Sequence, residues 1–366
     1  MATPNAEAFE GKPRGTEVLL PHGGLPEVLP KYLLDLVEKT GGPTGPIGLQ
    51  FIAQPELESA NFVDGIQDPL MEDHHEVAPG VVYKYQAGET EDGVKFDGRA
   101  LFTITRNCAA YCRFCTRGRE VGIPAGQEAA GLQGALAYTP NLSRQQIDQS
   151  IDFFAREQGL NEVILSGGDP LTVRPDVLHY VLGRLGDLQK SGKLEFVRIG
   201  TRVPVHNPLM MKESHYAAIR QIDIPNIMVH INHPAEITPE MLGVVQKLRK
   251  DGAELYSQTV LLRGVNDNVA TLQDLFKKIK KSGITPYYLF QNDPVYWAKH
   301  FTVPIEEAIE LWAKVRPILS GIVDQADFQY DVPGGYGKIP LPKGGAFKVD
   351  YEAGIKDFKG KHFPLK

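Results

Sequence analysis

A chain of 366 residues with a formal charge of −6 has no lysine and arginine excess to neutralise phosphates, which excludes a general nucleic-acid binder. With 42% hydrophobic and 23% charged residues it is a globular chain able to bury a sizeable core, not a disordered one. No apolar run reaches the length of a membrane span, "MATPNAEAFEGKPRG" has no signal-type apolar stretch, and three closely spaced cysteines do not suit a disulfide framework. No membrane attachment is therefore expected, and a reducing cytoplasm is the expected setting.

Residues 1–95 are rich in Pro, Gly and acidic groups ("TGGPTGPIG", "EDHHEVAPG") and contain one helical pattern, "PEVLPKYLLDLVEKT". They are expected to form an N-terminal wrap or cap without a core of its own. "EDHHE" (72–76) reads as an acidic solvated loop and not as a metal site, because five consecutive polar residues cannot all face one ion. From residue 96 to 325 the text is regular. Short β-branched or aromatic runs occur at 100–106, 161–167, 195–201, 226–231, 253–261 and 285–291, with helical patterns such as "ATLQDLFKKIKKSG" between them. The last five begin about 30 residues apart, the length of a βα unit. Residues 326–366 form a short C-terminal extension.

Strands alternating with helices make an α/β fold with a parallel sheet, either doubly wound or curled as a barrel. Polar residues gather where the strand runs end: Ser166, Gly167, Gly168 and Asp169; Arg202; His230 and Asn232; Gln258; Asp293. Ligands in such folds bind at the carboxyl ends of strands. Chemistry spread over every strand end favours a (β/α)6 barrel over a single crevice.

All three cysteines, Cys108, Cys112 and Cys115, lie in "RNCAAYCRFCTRGRE". Soft thiolates at C-x3-C-x2-C spacing can surround one metal centre. A structural zinc wants a fourth ligand from elsewhere, and an electron-transfer cluster usually takes four cysteines. Three thiolates on a four-iron cubane leave one iron open to a reactant. The spacing favours this catalytic cluster, with structural zinc and coincidental burial as the alternatives. A second motif, "DVPGGYGKIPLP" (331–342), departs from a phosphate-binding P-loop and puts Lys338 behind glycines. The residues alone leave open a surface lysine on a turn or a Schiff-base lysine for pyridoxal 5′-phosphate (PLP).

The cysteine spacing directly after the first strand resembles the signature of radical S-adenosylmethionine (SAM) enzymes. "LSGGDPL" (165–171) resembles that superfamily's glycine-rich strand end, which contacts the methionyl amine. "VRIGTRVPV", "INHPAEIT", "QTVLLRGVND", "PYYLFQ" and "PGGYGK" then follow in the order found in lysine 2,3-aminomutases, a likeness running from about residue 30 to 345. The resemblance implies a [4Fe–4S] cluster on Cys108, Cys112 and Cys115, and a partial barrel of radical-SAM type. It implies SAM bound by Ser166, Gly167, Gly168, Asp169, Arg202, His230 and Asn232. PLP would be held by Lys338, Arg99, Lys84 and Gln258. Arg117 matches the arginine for the substrate α-carboxylate, and Asp293 and Asp331 match the aspartates for a distal ammonium.

Some features depart from that family. Residues 86–96 and 124–142 look like insertions, and the C-terminal cysteines that bind zinc in the lysine enzymes are absent. Phe290 stands where the lysine enzymes have Tyr. The expected function is a 2,3-aminomutase moving the α-amino group of a basic, lysine-like amino acid to C3 to give a β-amino acid. The partners are that small-molecule amino acid, a reductant such as flavodoxin or ferredoxin, and a second copy in a homo-oligomer. The rivals are arginine or ornithine as substrate, a non-migration radical reaction, an iron–sulfur electron carrier with a degenerate PLP site, and a zinc-stabilised binding protein.

Overall fold

The computed structural model describes residues 25–59, 65–122, 141–334, 337–342 and three short strands beyond them. Its strands are β1 (Glu76–Ala78), β2 (Val81–Tyr85), β3 (Gly88–Glu89), β4 (Lys95–Phe96), β5 (Gly98–Thr103), β6 (Leu160–Ser166), β7 (Phe196–Thr201), β8 (Asn226–His230), β9 (Glu254–Leu261), β10 (Thr285–Gln291), β11 (Asp327–Val332) and β12 (Gly337–Pro340). β13 (Lys348–Asp350), β14 (Gly354–Lys356) and β15 (His362–Phe363) pair only with one another. The helices are α1 (Lys31–Lys39), α2 (Gly48–Phe51), α3 (Pro55–Ser59), α4 (Arg144–Arg156), α5 (Pro175–Lys190), α6 (Val203–His206), α7 (Glu213–Ile219), α8 (Pro239–Lys250), α9 (Val269–Lys281) and α10 (Ile305–Val315).

One ten-stranded sheet runs in the order β1-β2-β5-β6-β7-β8-β9-β10-β11-β12. From β5 to β11 every neighbour is parallel, and β2 and β12 join antiparallel at either side. β1 and β12 do not meet, so the barrel is partial. The six expected strands become β5 to β10, and β11 adds a further parallel strand. Helices cover the sheet because their apolar residues recur at helical spacing. On α9 these are Leu272, Leu275, Phe276 and Ile279, all buried, and Asn268 caps the start by accepting from the Thr271 amide at 2.9 Å. Helix α4 opens with a reciprocal cap between Ser143 and Gln146, at 3.3 Å and 2.9 Å.

Two stretches that look inserted have different outcomes. Residues 86–96 carry the exposed β3–β4 hairpin. Residues 123–140 lie outside the described residues.

The N-terminal helices lie over the cysteine loop. Leu33, Val37, Ile47 and Phe51 share a small core with Ala110. Arg113, between Cys112 and Cys115, is fully buried there, and its guanidinium pairs with both carboxylate oxygens of the equally buried Glu58. Arg113 Nη1 also donates to the Leu25 carbonyl at 2.9 Å, and its amide to the Gln50 carbonyl at 2.8 Å. Glu58→Ala should cost ~3–5 kcal/mol, because it strands a buried cation, while Glu58→Leu with Arg113→Met should recover most of that. Urea unfolding of the two variants checks this, and equal losses in both would contradict it.

Candidate active site

The cysteine loop leaves the carboxyl end of β5 and lies against the end of β6. Gly168 donates its amide to the Thr105 carbonyl at 2.6 Å, and Asp169 to the Asn107 carbonyl at 2.8 Å. A Cβ on Gly167 would sit 2.3 Å from the Thr105 oxygen, and one on Gly168 2.2 Å from the Asn107 oxygen. The glycines of "LSGGDPL" are thus required for the cysteine loop to dock on the sheet. Cys108, Cys112 and Cys115 all reach one cavity of about 300 Å³. Burial, and then the neighbouring thiols, push Cys115 up to about 12 and Cys108 well above the usual thiol range. A bound cation would relieve the penalty on the thiolate forms of Cys108 and Cys115. Among the described residues no group of three His, Cys, Asp or Glu converges on a single-ion site. Three thiols are one ligand short of a closed zinc site, and the donor set fits three corners of an iron–sulfur cubane.

The next wall comes from β6, β7 and β8. Asp169 faces the cavity, but its carboxylate is committed to the fold: it accepts from the Thr201 hydroxyl at 2.9 Å and the Arg202 amide at 2.7 Å. Burial outweighs these bonds and pushes it up to about 6. Arg202 places Nη1 2.8 Å from Cys112 Sγ and Nη2 2.8 Å from Glu236 and 2.5 Å from Gln50. His230 lines the cavity and is held by Asn232, whose Oδ1 lies 3.0 Å from its Nε2. Asn232 itself is fully buried behind the wall, where it bonds Gln50 and the Val260 amide.

Lys338 reaches the same cavity from the far edge of the sheet. It lies on β12, past the glycine turn, directly opposite Asp331 of β11, and its Nζ is 2.5 Å from the Asp331 carboxylate. Asp293, at the end of β10, also lines the cavity; burial and then the Asp331 charge push it up to about 7. Arg99 and Lys84 lie off the cavity wall, but Tyr85 links them to it. The Arg99 Cζ is 4.5 Å and the Lys84 Nζ 5.7 Å from the Tyr85 ring centre, and the Lys338 amide donates to the Tyr85 hydroxyl at 3.3 Å. With Gln258 on the wall, a lysine amine, two cations and an amide are present, a donor set that fits a phosphorylated aldehyde.

Arg117 lines the cavity, and one edge of its guanidinium holds Glu72 through two contacts of 2.7 Å. "EDHHE" is therefore not solvated throughout. Asp73 and His74 are exposed, but Glu72 is buried, because Arg117 and Arg119 supply the counter-charge that a loop reading does not anticipate. Glu72, Glu58, Glu236 and Gln50 are site-building residues that sequence reasoning missed. Glu236 lies in a family motif, "INHPAEIT", and Glu72 opens "EDHHE", whose polar run reads as a solvated loop.

A family model described as Radical SAM superfamily matches residues 102–286, about half of the chain, and the chain is a radical SAM protein. L-lysine 2,3-aminomutase of Clostridium subterminale is 33% identical over 310 residues, covering 85% of this chain and 67% of that protein. The enzyme of the same name from Methanococcus maripaludis is 32% identical over 317 residues, covering 86% and 66%. Glutamate 2,3-aminomutase of Clostridioides difficile is 29% identical over 247 residues, covering 68% and 54%. The chain belongs to the lysine 2,3-aminomutase family, whose cofactors are a [4Fe–4S] cluster, SAM and PLP. It spans about two thirds of the length of these lysine relatives. Among the described residues no helix is long and apolar enough to cross a membrane.

Two outcomes follow from this geometry. Anaerobic reconstitution should load about four irons per chain, and Cys112→Ser should lose them; stoichiometric zinc in place of iron would contradict this. Asp293 holds its proton to about pH 7, against an ordinary value of 3.8. The folded state therefore binds more protons than the unfolded one between those values, and stability falls as pH rises through that window. Asp293→Asn should accordingly raise the melting temperature at pH 8 more than at pH 4.5 in the protein without substrate, as read by scanning calorimetry.

Proposed function

We propose that this chain moves the α-amino group of a basic amino acid to C3, giving a β-amino acid. The observation that carries the reading is one cavity shared by three clustered thiols, Lys338, Arg117 and the Asp293–Asp331 pair. The cluster with SAM supplies a radical that takes a hydrogen from the substrate, and PLP supplies the π-system that carries the nitrogen.

The protein's own residues position and exclude. Cys108, Cys112 and Cys115 would hold the iron, and the wall from Ser166 to Asp169 with Arg202 and His230 would take SAM, with Asn232 holding His230 from behind. Lys338 bonds PLP through its Nζ, while Arg99, Lys84 and Gln258 hold PLP's polar end. Glu72 occupies the Nε edge of Arg117, which leaves the outer N–H groups for an α-carboxylate. Lys338 cannot be both an ammonium paired with Asp331 and the amine that bonds PLP. Asp331 is then left beside Asp293, and two neighbouring carboxylates favour a cation between them. A side-chain ammonium or guanidinium supplies it, so lysine, ornithine and arginine all meet the requirement, and glutamate does not. An electron carrier gives Lys338 and this acidic pair nothing to do. The starting electron comes from an external donor of flavodoxin or ferredoxin type, in a cytoplasmic setting.

Anaerobic incubation with SAM, PLP, reductant and a panel of amino acids, read by mass spectrometry, tests the reading. Basic amino acids should be converted to β-isomers. Asp293→Asn and Asp331→Asn should each lose about 10²–10⁴ in kcat/KM, since an unpartnered buried ammonium costs ~3–5 kcal/mol, with iron and PLP content unchanged. Efficient turnover of glutamate or alanine would overturn the basic-substrate assignment and leave the radical chemistry standing.

A further inference from the structure

The turn from β7 into α6 holds two buried polar atoms that have no hydrogen-bond partner among the described residues, Arg202 Nε and His206 Nδ1. Both residues line the cavity, at 5% and 1% exposure. The remaining nitrogens of Arg202 are committed to Cys112, Gln50 and Glu236, which fixes the direction of its Nε–H. His206 packs its ring edge against Phe51, with centroids 6.2 Å apart and planes at 82°. Burial, and then the Arg202 charge, hold its imidazole well below the usual histidine range, so the ring is neutral and offers one N–H and one lone pair. Its neighbour His230 differs, because Asn232 already engages one ring nitrogen.

Buried polar atoms without partners are rare and destabilising, and two of them on residues of one short turn that lines the cavity point to a polar ligand. We propose that His206 is a binding residue for SAM, hydrogen-bonding an oxygen of its ribose or of its methionine carboxylate beside Arg202. The proposal rests on the assignment of the Arg202–His230 wall to SAM. The Phe51 contact alone could be made by an apolar side chain, and an apolar side chain would leave no orphaned nitrogen.

The test uses the anaerobically reconstituted protein with PLP, and compares wild type, His206→Leu and His206→Asn at equal iron content by calorimetric titration. His206→Leu keeps the apolar contact and removes both ring nitrogens, and should weaken SAM about tenfold, the scale of one hydrogen bond. His206→Asn restores a polar atom near the Nδ1 position and should stay within about threefold of wild type. Titration with 5′-deoxyadenosine locates the oxygen: a loss for both ligands places it on the ribose, and a loss for SAM alone places it on the carboxylate. Binding by His206→Leu within about twofold of wild type, or by His206→Asn as weak as His206→Leu, would overturn the proposal. If wild type does not bind SAM, or Cys112→Ser binds it equally well, the wall assignment fails first.

Discussion

A guanidinium with no exposed surface must find its counter-charge inside the protein, and Arg113 finds it in Glu58. Because Arg113 lies between Cys112 and Cys115, burying it against the N-terminal segment settles how the cysteine loop sits over the sheet. The same segment brings Gln50, which bonds Arg202 and Asn232 and so connects the loop to the strand ends. On the sheet side the loop rests on Gly167 and Gly168, where only glycine allows the backbones to approach. The three sulfurs are held from two sides before any iron is added.

Charges around the cavity are arranged in pairs. Arg117 with Glu72, Arg202 with Glu236 and Lys338 with Asp331 each set a cation against a carboxylate. Asp293 answers its surroundings differently, by holding its proton more tightly than an ordinary carboxyl does. The balance is therefore sensitive to whatever enters. A ligand that engages Lys338 and brings its own ammonium restores the neutrality that it disturbs, and an acidic side chain at that end would not.

Most of the scaffold could be seen in the sequence, for identifiable reasons. Strands β5 to β10 are short β-branched or aromatic runs between clear helical periods, and they form within a few residues of the expected bounds. β11 escaped notice because "DFQYDV" is polar in half its positions and runs straight into a glycine turn. The expected site residues share one cavity, except Arg99, Lys84 and Asn232, which stand one layer back from it. The residues that could not be seen are those whose role depends on a distant partner. Glu58 reads as one more acid in "PELES", and Glu72 as part of a polar run, until the fold brings Arg113 and Arg117 to them across separations of 55 and 45 residues. A composition pattern does not encode such pairings.

The hydrogen bond from the Lys338 amide to Tyr85 spans 253 residues of chain, and Gly334 of the same turn donates to the Pro69 carbonyl. The lysine hairpin is thus stitched to segments synthesised long before it, across a sheet whose parallel pairings from β5 to β11 are all non-local. Contacts of this kind form late, after the loops between them have closed. On a ribosome the three thiols and most of the strands that surround them emerge well before Lys338 does. The wall that gathers the thiols and the hairpin that carries Lys338 are therefore supplied by parts of the chain made far apart in time, and the cavity they share is complete only when both are present.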